Sequence, residues 1–598
     1  MLGKRINKRL KIIKYFIFIV FTLIGLKLIN IQVFKHEFYL KELKDTEKIV
    51  YSLTAPRGRI YDRNGILLVD NEPIKIIRYS KLDNDLKTEK EIANKLAKIL
   101  EVPETDNKDF KNKKAATIYE RMNNGYYYDV KTIKENATEE EYALIAELDL
   151  KGIFVEVGWK RIYKYNAFKT MLGTVGSIPA EKLDYYLDKG YSINDKVGIS
   201  YIEEIYDDIL KGEKSKYIFE GDEYKLLSEG AKGNDIYLTI DINLQKEVEE
   251  ILEEQIKKAK NEKNTKYYDH SYVIVSEPNT GEILAMAGKK YLNDKFTDYT
   301  SNLLTSTVTA GSAIKGASHI VGYKTGSLEI GEKRKDFCIK IRGTEAKCSW
   351  RKFGTLNDLT ALKYSSNSYQ FQTAIKLGNG NYVYNKSLTL NKNALEKYRS
   401  IFAQFGLGTN TGIDFFESTG YKGSKKDSGL ILDFAIGQYD TYTPVQLSQY
   451  INTIATSGSR FKLQILKGFY ENQKYVEVKH QLLNKVNIEE KYLNRVQEGF
   501  KMVMESGGTG YNYISSKYKP AGKTGTSTSY IDTNNDNKVD TATATNTFVA
   551  YAPFDNPIVT FTVISPNVRP AYSNSSYKTS VNQKISYEVS RKFFEIYK

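Results

Sequence analysis

The sequence predicts an α+β protein with a single transmembrane helix, a mixed N-terminal domain and a C-terminal domain built on an antiparallel sheet flanked by helices. Three observations predict it. A basic N-terminus runs into a long apolar stretch. Strand-like alternation opens the region after residue 235 and returns only near the C-terminus, with helical periodicity between, so one sheet is assembled from distant pieces. A charged, helix-patterned segment interrupts the N-terminal half. With 598 residues, 41% hydrophobic and 27% charged, the chain is long enough for several domains and too apolar for disorder.

Residues 1–14 form a basic tail carrying Lys4, Arg5, Lys8, Arg9, Lys11 and Lys14. The stretch YFIFIVFTLIGLKLINIQVF (15–34) then has the length of a bilayer-spanning helix. No small-x-small cleavage site follows its apolar part, where the next residues are Lys27, Leu28 and Ile29. An uncleaved anchor is therefore expected, with Lys27 snorkelling to the interface. The preceding positive charge keeps the N-terminus cytoplasmic and places everything after Phe34 outside the cell membrane. The net charge of +15 fits a surface facing anionic lipid or an anionic wall polymer, or the lysine usage of an AT-rich genome. No zinc-finger spacing or RNA-binding signature accompanies it, so nucleic acid is not an expected partner. No cofactor is expected either.

The N-terminal domain is placed at 35–235. APRGRIYDRNG opens it, and Asn64-Gly65 marks a tight turn between short strands. An inserted subdomain is expected at about 75–150, where KTEKEIANKLAKIL sets Ile92, Leu96 and Ile99 on one helix face. The C-terminal domain, 236–598, begins with a strand and then an amphipathic helix faced by Leu244, Val248, Ile251, Leu252 and Ile256. SYVIVSEPNTGEILAMAG reads as a hairpin. Residues 290–515 are mainly helical. TNTFVAYAP and PIVTFTVIS then pair as strands, and a last helix carries Ile585, Val589, Phe593 and Ile596.

Three short motifs carry the chemistry. Ser312-Ala313-Ile314-Lys315 comes first, Ser365-Ser366-Asn367 next, and Lys523-Thr524-Gly525-Thr526 last. A serine hydroxyl needs a base to become a nucleophile. One helical turn sets Ser312 and Lys315 on the same face. A lysine serves as that base only if burial and a neighbouring cation lower its pKa, and Lys523 can supply the cation. A helix N-terminus at Ser312 favours developing negative charge.

The ordered set S-x-x-K, S-x-N, K-T-G resembles the penicillin-binding serine acyltransferases. RGRIYDRNG, YIEEIYDDILKGE, LTIDINLQ, PNTGEILAMA, FGLGTNTGIDFFES, IGQYDTYTPVQLSQ, and VQEGF followed by GTG extend the likeness from about residue 55 to the end. The chain is thereby identified as similar to the class B penicillin-binding proteins, monofunctional peptidoglycan D,D-transpeptidases of the penicillin-binding protein 2 and FtsI-like type. The resemblance implies an elongated pedestal or dimerisation domain over 35–235 and a serine β-lactamase-like transpeptidase domain over 236–598. It implies that Ser312 attacks the D-Ala–D-Ala bond of a peptidoglycan stem peptide, that a neighbouring stem amine resolves the acyl-enzyme, and that β-lactams trap Ser312. Ser365 would relay a proton, Asn367 would hold the substrate's backbone amide, and Lys523, Thr524 and Thr526 would take a carboxylate. Gly525 would leave room for the substrate to add as a strand. The backbone N–H groups of Ser312 and Thr526 would form the oxyanion hole. A glycosyltransferase of the shape–elongation–division–sporulation family is the expected membrane partner.

The chain departs from the family at Ala310, where proline is usual, at Phe353, where histidine is common, and at Tyr201, where glycine is usual. None removes a catalytic group. Cys338 and Cys348 can form a disulfide, stay free, or bind metal with Asp336 and His319. DTNNDNKVD (532–540) carries partial calcium-loop spacing, but Asn537 replaces the loop's glycine and Thr543 its bidentate acid, so an ordinary polar loop is the favoured reading. Three alternative functions share these features: a β-lactam sensor, a β-lactamase, and a non-catalytic scaffold that activates a glycosyltransferase. Fourteen residues inside the membrane are too few for a sensor's output, and a β-lactamase would have no use for the pedestal.

Overall fold

The computed structural model describes residues 50–81, 84–124, 130–193, 195–220, 223–534, 536–571 and 579–598, with isolated positions Thr22, Gly25, Lys27 and Lys35. The anchor expected at 15–34 thus lies outside the described residues apart from three positions. Among the described residues no helix is long and apolar enough to cross a membrane.

The chain divides into two compact units. The first comprises Met1–Arg57, Asn71–Lys160 and Gly212–Gly233. Its charged segment folds into helices Leu86–Leu96, Lys113–Met122 and Glu139–Leu148 beside strand Lys131–Ala137. Each helix starts where a side chain satisfies free N–H groups: Asp85 accepts from Thr88, Asn112 from Lys114 and Ala115, and Thr138 exchanges a capping box with Glu141. Ile92, Leu96, Ile118, Ile133 and Ile145 are buried together, so the predicted apolar helix face has found its core. A separate three-stranded sheet joins Val50–Leu53, Ser215–Glu220 and Glu223–Ser228.

The second unit comprises Gly58–Asp70, Arg161–Lys211 and Asn234–Lys598. Its two early segments group with the C-terminal region because their hydrogen bonds run there. Ile60–Tyr61 pairs in parallel with Ile236–Leu238. The Arg161 guanidinium donates to the fully buried Glu203 carboxylate and to the Gly58 carbonyl, both at 2.8 Å. Asp62, also fully buried, accepts from the N–H groups of Asn64 and Ile66 at 2.8 Å and of Ile242 at 3.2 Å. Burying a carboxylate is costly unless each lone pair finds a donor, and here each oxygen does. Tyr201 adopts φ 44°, the left-handed region that favours glycine, so the family's usual residue matches the backbone here and tyrosine holds the same turn under strain.

The C-terminal part is three layers. Helix α1 (Ile242–Lys260) starts at Asp241, which caps the N–H groups of Asn243 and Leu244. A six-stranded antiparallel sheet follows, built from β1 (His270–Ser276), β2 (Ile283–Leu292), β3 (Lys295–Asp298), β4 (Ala521–Ile531), β5 (Thr541–Ala552) and β6 (Val559–Pro570). Its spatial order is β3-β2-β1-β6-β5-β4, which leaves β4 at an edge. Alternation divides the sheet's residues between two cores. Val273, Val275, Phe561 and Val563 pack with α1 and with the terminal helix Val581–Ile596. Tyr272, Ile274, Val549 and Ile564 join the larger core, which includes the helices Lys315–Lys324 and Pro444–Ala455. Ile585, Val589 and Phe593 are buried as predicted, whereas Ile596 is 39% exposed in the last turn.

Candidate active site

Three segments far apart in sequence meet at the edge strand β4. The first is a 3-10 turn, Gly311–Ile314, running directly into helix Lys315–Lys324. Residues three apart eclipse in such a turn, which puts Ser312 and Lys315 on one side. The second is the start of helix Asn367–Leu377, where the Ser366 side chain accepts from the Tyr369 N–H. Ser365, just before that cap, holds φ 59°. The third is β4 itself.

The side chains converge on the two lysines. Lys315 is fully buried, and its Nζ donates to the carbonyls of Ser365 and Ser366 at 2.8 and 3.1 Å and to Asn367 Oδ1 at 2.7 Å. It also stands 3.4 Å from the Ser365 hydroxyl, which receives a hydrogen bond from Lys523 Nζ at 3.0 Å. Burial, then the neighbouring Lys523 charge, hold the Lys315 amine well below the ordinary lysine range, with Asp336 opposing in part. Burial also pushes Lys523 down to about 7. Ser312 is half-buried, and among the described residues its hydroxyl has no hydrogen-bond partner.

The backbone supplies donors beside it. The Thr528 N–H donates to Gln438 Oε1 at 3.2 Å, so that residue's polar groups point off the sheet edge rather than into β5. By the two-residue period, the Thr526 N–H points the same way, and Ser312 lies in the first turn of its 3-10 segment, where backbone N–H groups lack an intrahelical acceptor. A Cβ on Gly525 would lie 2.4 Å from the Ala310 carbonyl oxygen and 2.9 Å from the Ala313 nitrogen. Glycine is needed there so that β4 can close on the Ser312 turn, a different reason from room for a substrate. Thr524 donates to the Thr509 hydroxyl at 2.9 Å, and Thr526 faces Asn546.

A cavity of about 600 Å³ is lined by Ser312, Ser365, Asn367, Thr524, Gly525 and Thr526, with Trp350, Asn546 and Arg569 among its further walls. Lys315 and Lys523 lie beneath it. A serine hydroxyl lining a cavity, with a low-pKa amine three residues on and backbone donors at a strand edge and a helix start, is the equipment that acyl transfer needs.

The sequence reading offered Asp336 only as a possible metal ligand and missed Ser349. Asp336 accepts from the hydroxyls of Ser349 and Ser366, each at 2.7 Å, and Ser349 accepts from the N–H groups of Asn367 and Ser368. Nothing local marks these residues. Gln438 and Thr509, by contrast, sit inside the quoted segments IGQYDTYTPVQLSQ and GTG. Cys338 and Cys348 form a disulfide, and the Cys348 carbonyl accepts from Asn367 Nδ2 at 3.0 Å. His319 is buried against Gln370 and the Lys315 carbonyl, and Asp336 is occupied by hydroxyls. Among the described residues no cluster of three metal-ligating side chains occurs. In 532–540, Asp532 accepts from Asn534 and Asn537 N–H groups and Asp540 holds Thr533, so these acids brace their own loop.

A family model described as the penicillin binding protein transpeptidase domain matches residues 271–589, and one described as the penicillin-binding protein dimerisation domain matches 52–238. The chain is similar to penicillin-binding protein 2A of Bacillus subtilis, with 35% identity across 99% of this chain and 94% of that one. It is 25% identical to peptidoglycan D,D-transpeptidase MrdA of Acinetobacter baumannii, covering 90% and 81% of the two chains. Among solved structures, penicillin-binding protein 2B of Streptococcus pneumoniae matches with a TM-score of 0.79 and 26% identity, over 92% of this chain and 99% of that one.

Proposed function

The chain belongs to the class B penicillin-binding proteins, and on that premise we propose how its residues divide the work of peptidoglycan D,D-transpeptidation. Ser312 Oγ attacks the carbonyl of the D-Ala–D-Ala bond while its proton passes to the neutral amine of Lys315. The N–H groups of Ser312 and Thr526 stabilise the oxyanion. As the tetrahedral intermediate collapses, the leaving D-Ala amine takes a proton through Ser365, and an ester on Ser312 remains. The amine of a neighbouring stem attacks that ester, forms the crosslink and returns the serine proton. Lys523 with Thr524 and Thr526 holds the terminal carboxylate of the donor stem, and Asn367 holds its backbone amide. β-Lactams present the same carbonyl and carboxylate, so they acylate the same serine.

The observation that carries this division is the Ser365 hydroxyl, within 3.4 Å of Lys315 and 3.0 Å of Lys523, in the cavity that Ser312 also lines. The test is labelling by fluorescent penicillin. Wild type is expected to form a stable adduct and Ser312→Ala none. An adduct on Ser312→Ala would refute the assignment, and loss of label within seconds would instead mark a β-lactamase.

The basic tail 1–14 and apolar run 15–34 support a single-pass anchor with the catalytic domain outside the membrane. The match of 52–238 to a dimerisation domain supports a pedestal role for that region, with a glycosyltransferase of the shape–elongation–division–sporulation type as its membrane partner. Recovery of such an enzyme with the full-length protein from solubilised membranes is the expected result. Its absence from specific eluates would argue against this partner.

A further inference from the structure

We propose that Arg569 forms a second carboxylate subsite in the cleft, one that selects donor stem peptides carrying a free carboxylate upstream of the D-Ala–D-Ala bond. The proposal rests on the function assigned above and extends it to substrate choice.

Arg569 lines the same cavity as Ser312, Thr524 and Thr526. Among the described residues it is the only charged side chain of that lining, which contains no Asp or Glu. Its guanidinium also has no carboxylate partner among the described residues, in contrast to four arginines that are committed elsewhere in the fold. Arg161, Arg334, Arg399 and Arg495 each hold a carboxylate within 3 Å, at 2.6, 2.9, 2.8 and 2.7 Å. Arg569 makes no ion pair among the described residues. Among the described residues only Nη1 is engaged, donating to the carbonyls of Pro570 at 3.0 Å and Ala571 at 3.4 Å. Nε and Nη2 keep the planar pair of donors that matches a carboxylate. Guanidinium stays charged at all working pH values, so this wall of the cleft favours an anion throughout.

The sheet register places it at the right level. Thr524, Thr526 and Thr528 alternate onto one face of β4. Thr528 pairs with Ala544, and Ala544 pairs with Arg569. Paired residues share a face, so Arg569 stands about 10 Å across the sheet from Thr528 and one two-residue step, about 7 Å, beyond Thr526. A donor stem with its terminal carboxylate at Thr524 and its scissile carbonyl at the Thr526 N–H runs upstream toward Thr528. Its third residue then reaches the level of Arg569, and a long side chain ending in a carboxylate spans the gap. A carboxylate on the second residue is the other source of the same chemistry.

The experiment uses the full-length protein in detergent and synthetic pentapeptides ending in D-Ala–D-Ala. One pair differs by a free or amidated side-chain carboxylate at the third residue, and a second pair differs likewise at the second residue. Release of D-Ala gives kcat/KM. Wild type is expected to favour the free acid by about tenfold or more in one pair, which identifies the source, since hydrogen bonds to charged groups are of that strength. Arg569→Gln is expected to erase the preference and Arg569→Lys to keep part of it. Equal rates within both pairs for wild type, or an undiminished preference in Arg569→Gln, overturn the proposal. Labelled penicillin is run alongside: adducts on the variants show that the serine site is assembled, and their absence from wild type would count against the transpeptidase assignment instead.

Discussion

The Nζ of Lys523 lies 3.0 Å from the hydroxyl of Ser365, and both groups are buried. Lys315 approaches the same oxygen from the other side at 3.4 Å. Two ammonium groups buried beside one oxygen repel each other, so one of them yields its proton readily. Lys315 is the one that does, held down by burial and by Lys523. The neutral amine keeps a lone pair for the Ser312 proton, and the remaining charge on Lys523 serves the carboxylate.

A bell-shaped pH profile follows for acylation. Lys315 must be neutral, so kcat/KM rises with pH on the acid side. Lys523 must be charged, and burial sets it at about 7, so kcat/KM falls on the alkaline side. The two apparent values belong to the pair rather than to either residue. Arg stays protonated in that range, so Lys523→Arg is expected to flatten the alkaline limb. Stopped-flow acylation between pH 5 and 10, flat for wild type, would defeat this reading.

Ser365→Ala isolates the shared oxygen. Serine already holds φ 59° there, so alanine adds no new backbone strain. What disappears is the hydroxyl that both lysines reach. Acylation is expected to slow by about 10²- to 10³-fold, the usual worth of a positioned proton relay. The melting temperature should move little. A rate within twofold of wild type would remove Ser365 from the mechanism.

The motifs were legible because each concentrates its chemistry in three or four residues, and Ser312, Ser365, Asn367, Thr524 and Thr526 line one cavity. The sheet was legible because alternation in HSYVIVS and TNTFVAYA is a local property. The roles of Ser349, Arg569 and Asp336, the last noted only as a possible metal ligand, were not, since their partners lie across the fold: Asp336 is 30 residues from Ser366, and Arg569 is aligned with Thr528 only through strand register. Gly525 was noticed for a different reason from the one that holds it, because the approach of Ala310 exists only after folding. The hidden role of 58–70 has the same origin, since Asp62 finds its third donor at Ile242.

Gly525→Ala tests that approach. The new Cβ would sit 2.4 Å from the backbone oxygen of Ala310, and neither backbone can turn aside as a side chain would. β4 must retreat from the Ser312 turn, and the Thr526 N–H with it. A displacement near 1 Å in a catalytic constellation costs about 10²-fold. Acylation is expected to drop by that factor, with a lowered melting temperature. Wild-type acylation in Gly525→Ala would show that the turn and strand are not held in register by this contact.

Asp336→Asn separates charge from hydrogen bonding. An asparagine Oδ1 can still accept from the Ser349 and Ser366 hydroxyls that Asp336 now holds at 2.7 Å. The negative charge, which opposes the lowering of the Lys315 pKa, is lost. Lys315 then gives up its proton more readily, and the acid limb of the acylation profile moves to lower pH. Asp336→Ala removes the acceptor as well and frees Ser349, whose oxygen holds the N–H groups of Asn367 and Ser368 at 3.0 and 3.2 Å. That variant is expected to lose plateau rate in addition to showing the shift, because Asn367 is no longer aimed at Lys315. An acid limb that stays in place in Asp336→Asn would mean that the carboxylate acts only as a hydrogen-bond acceptor.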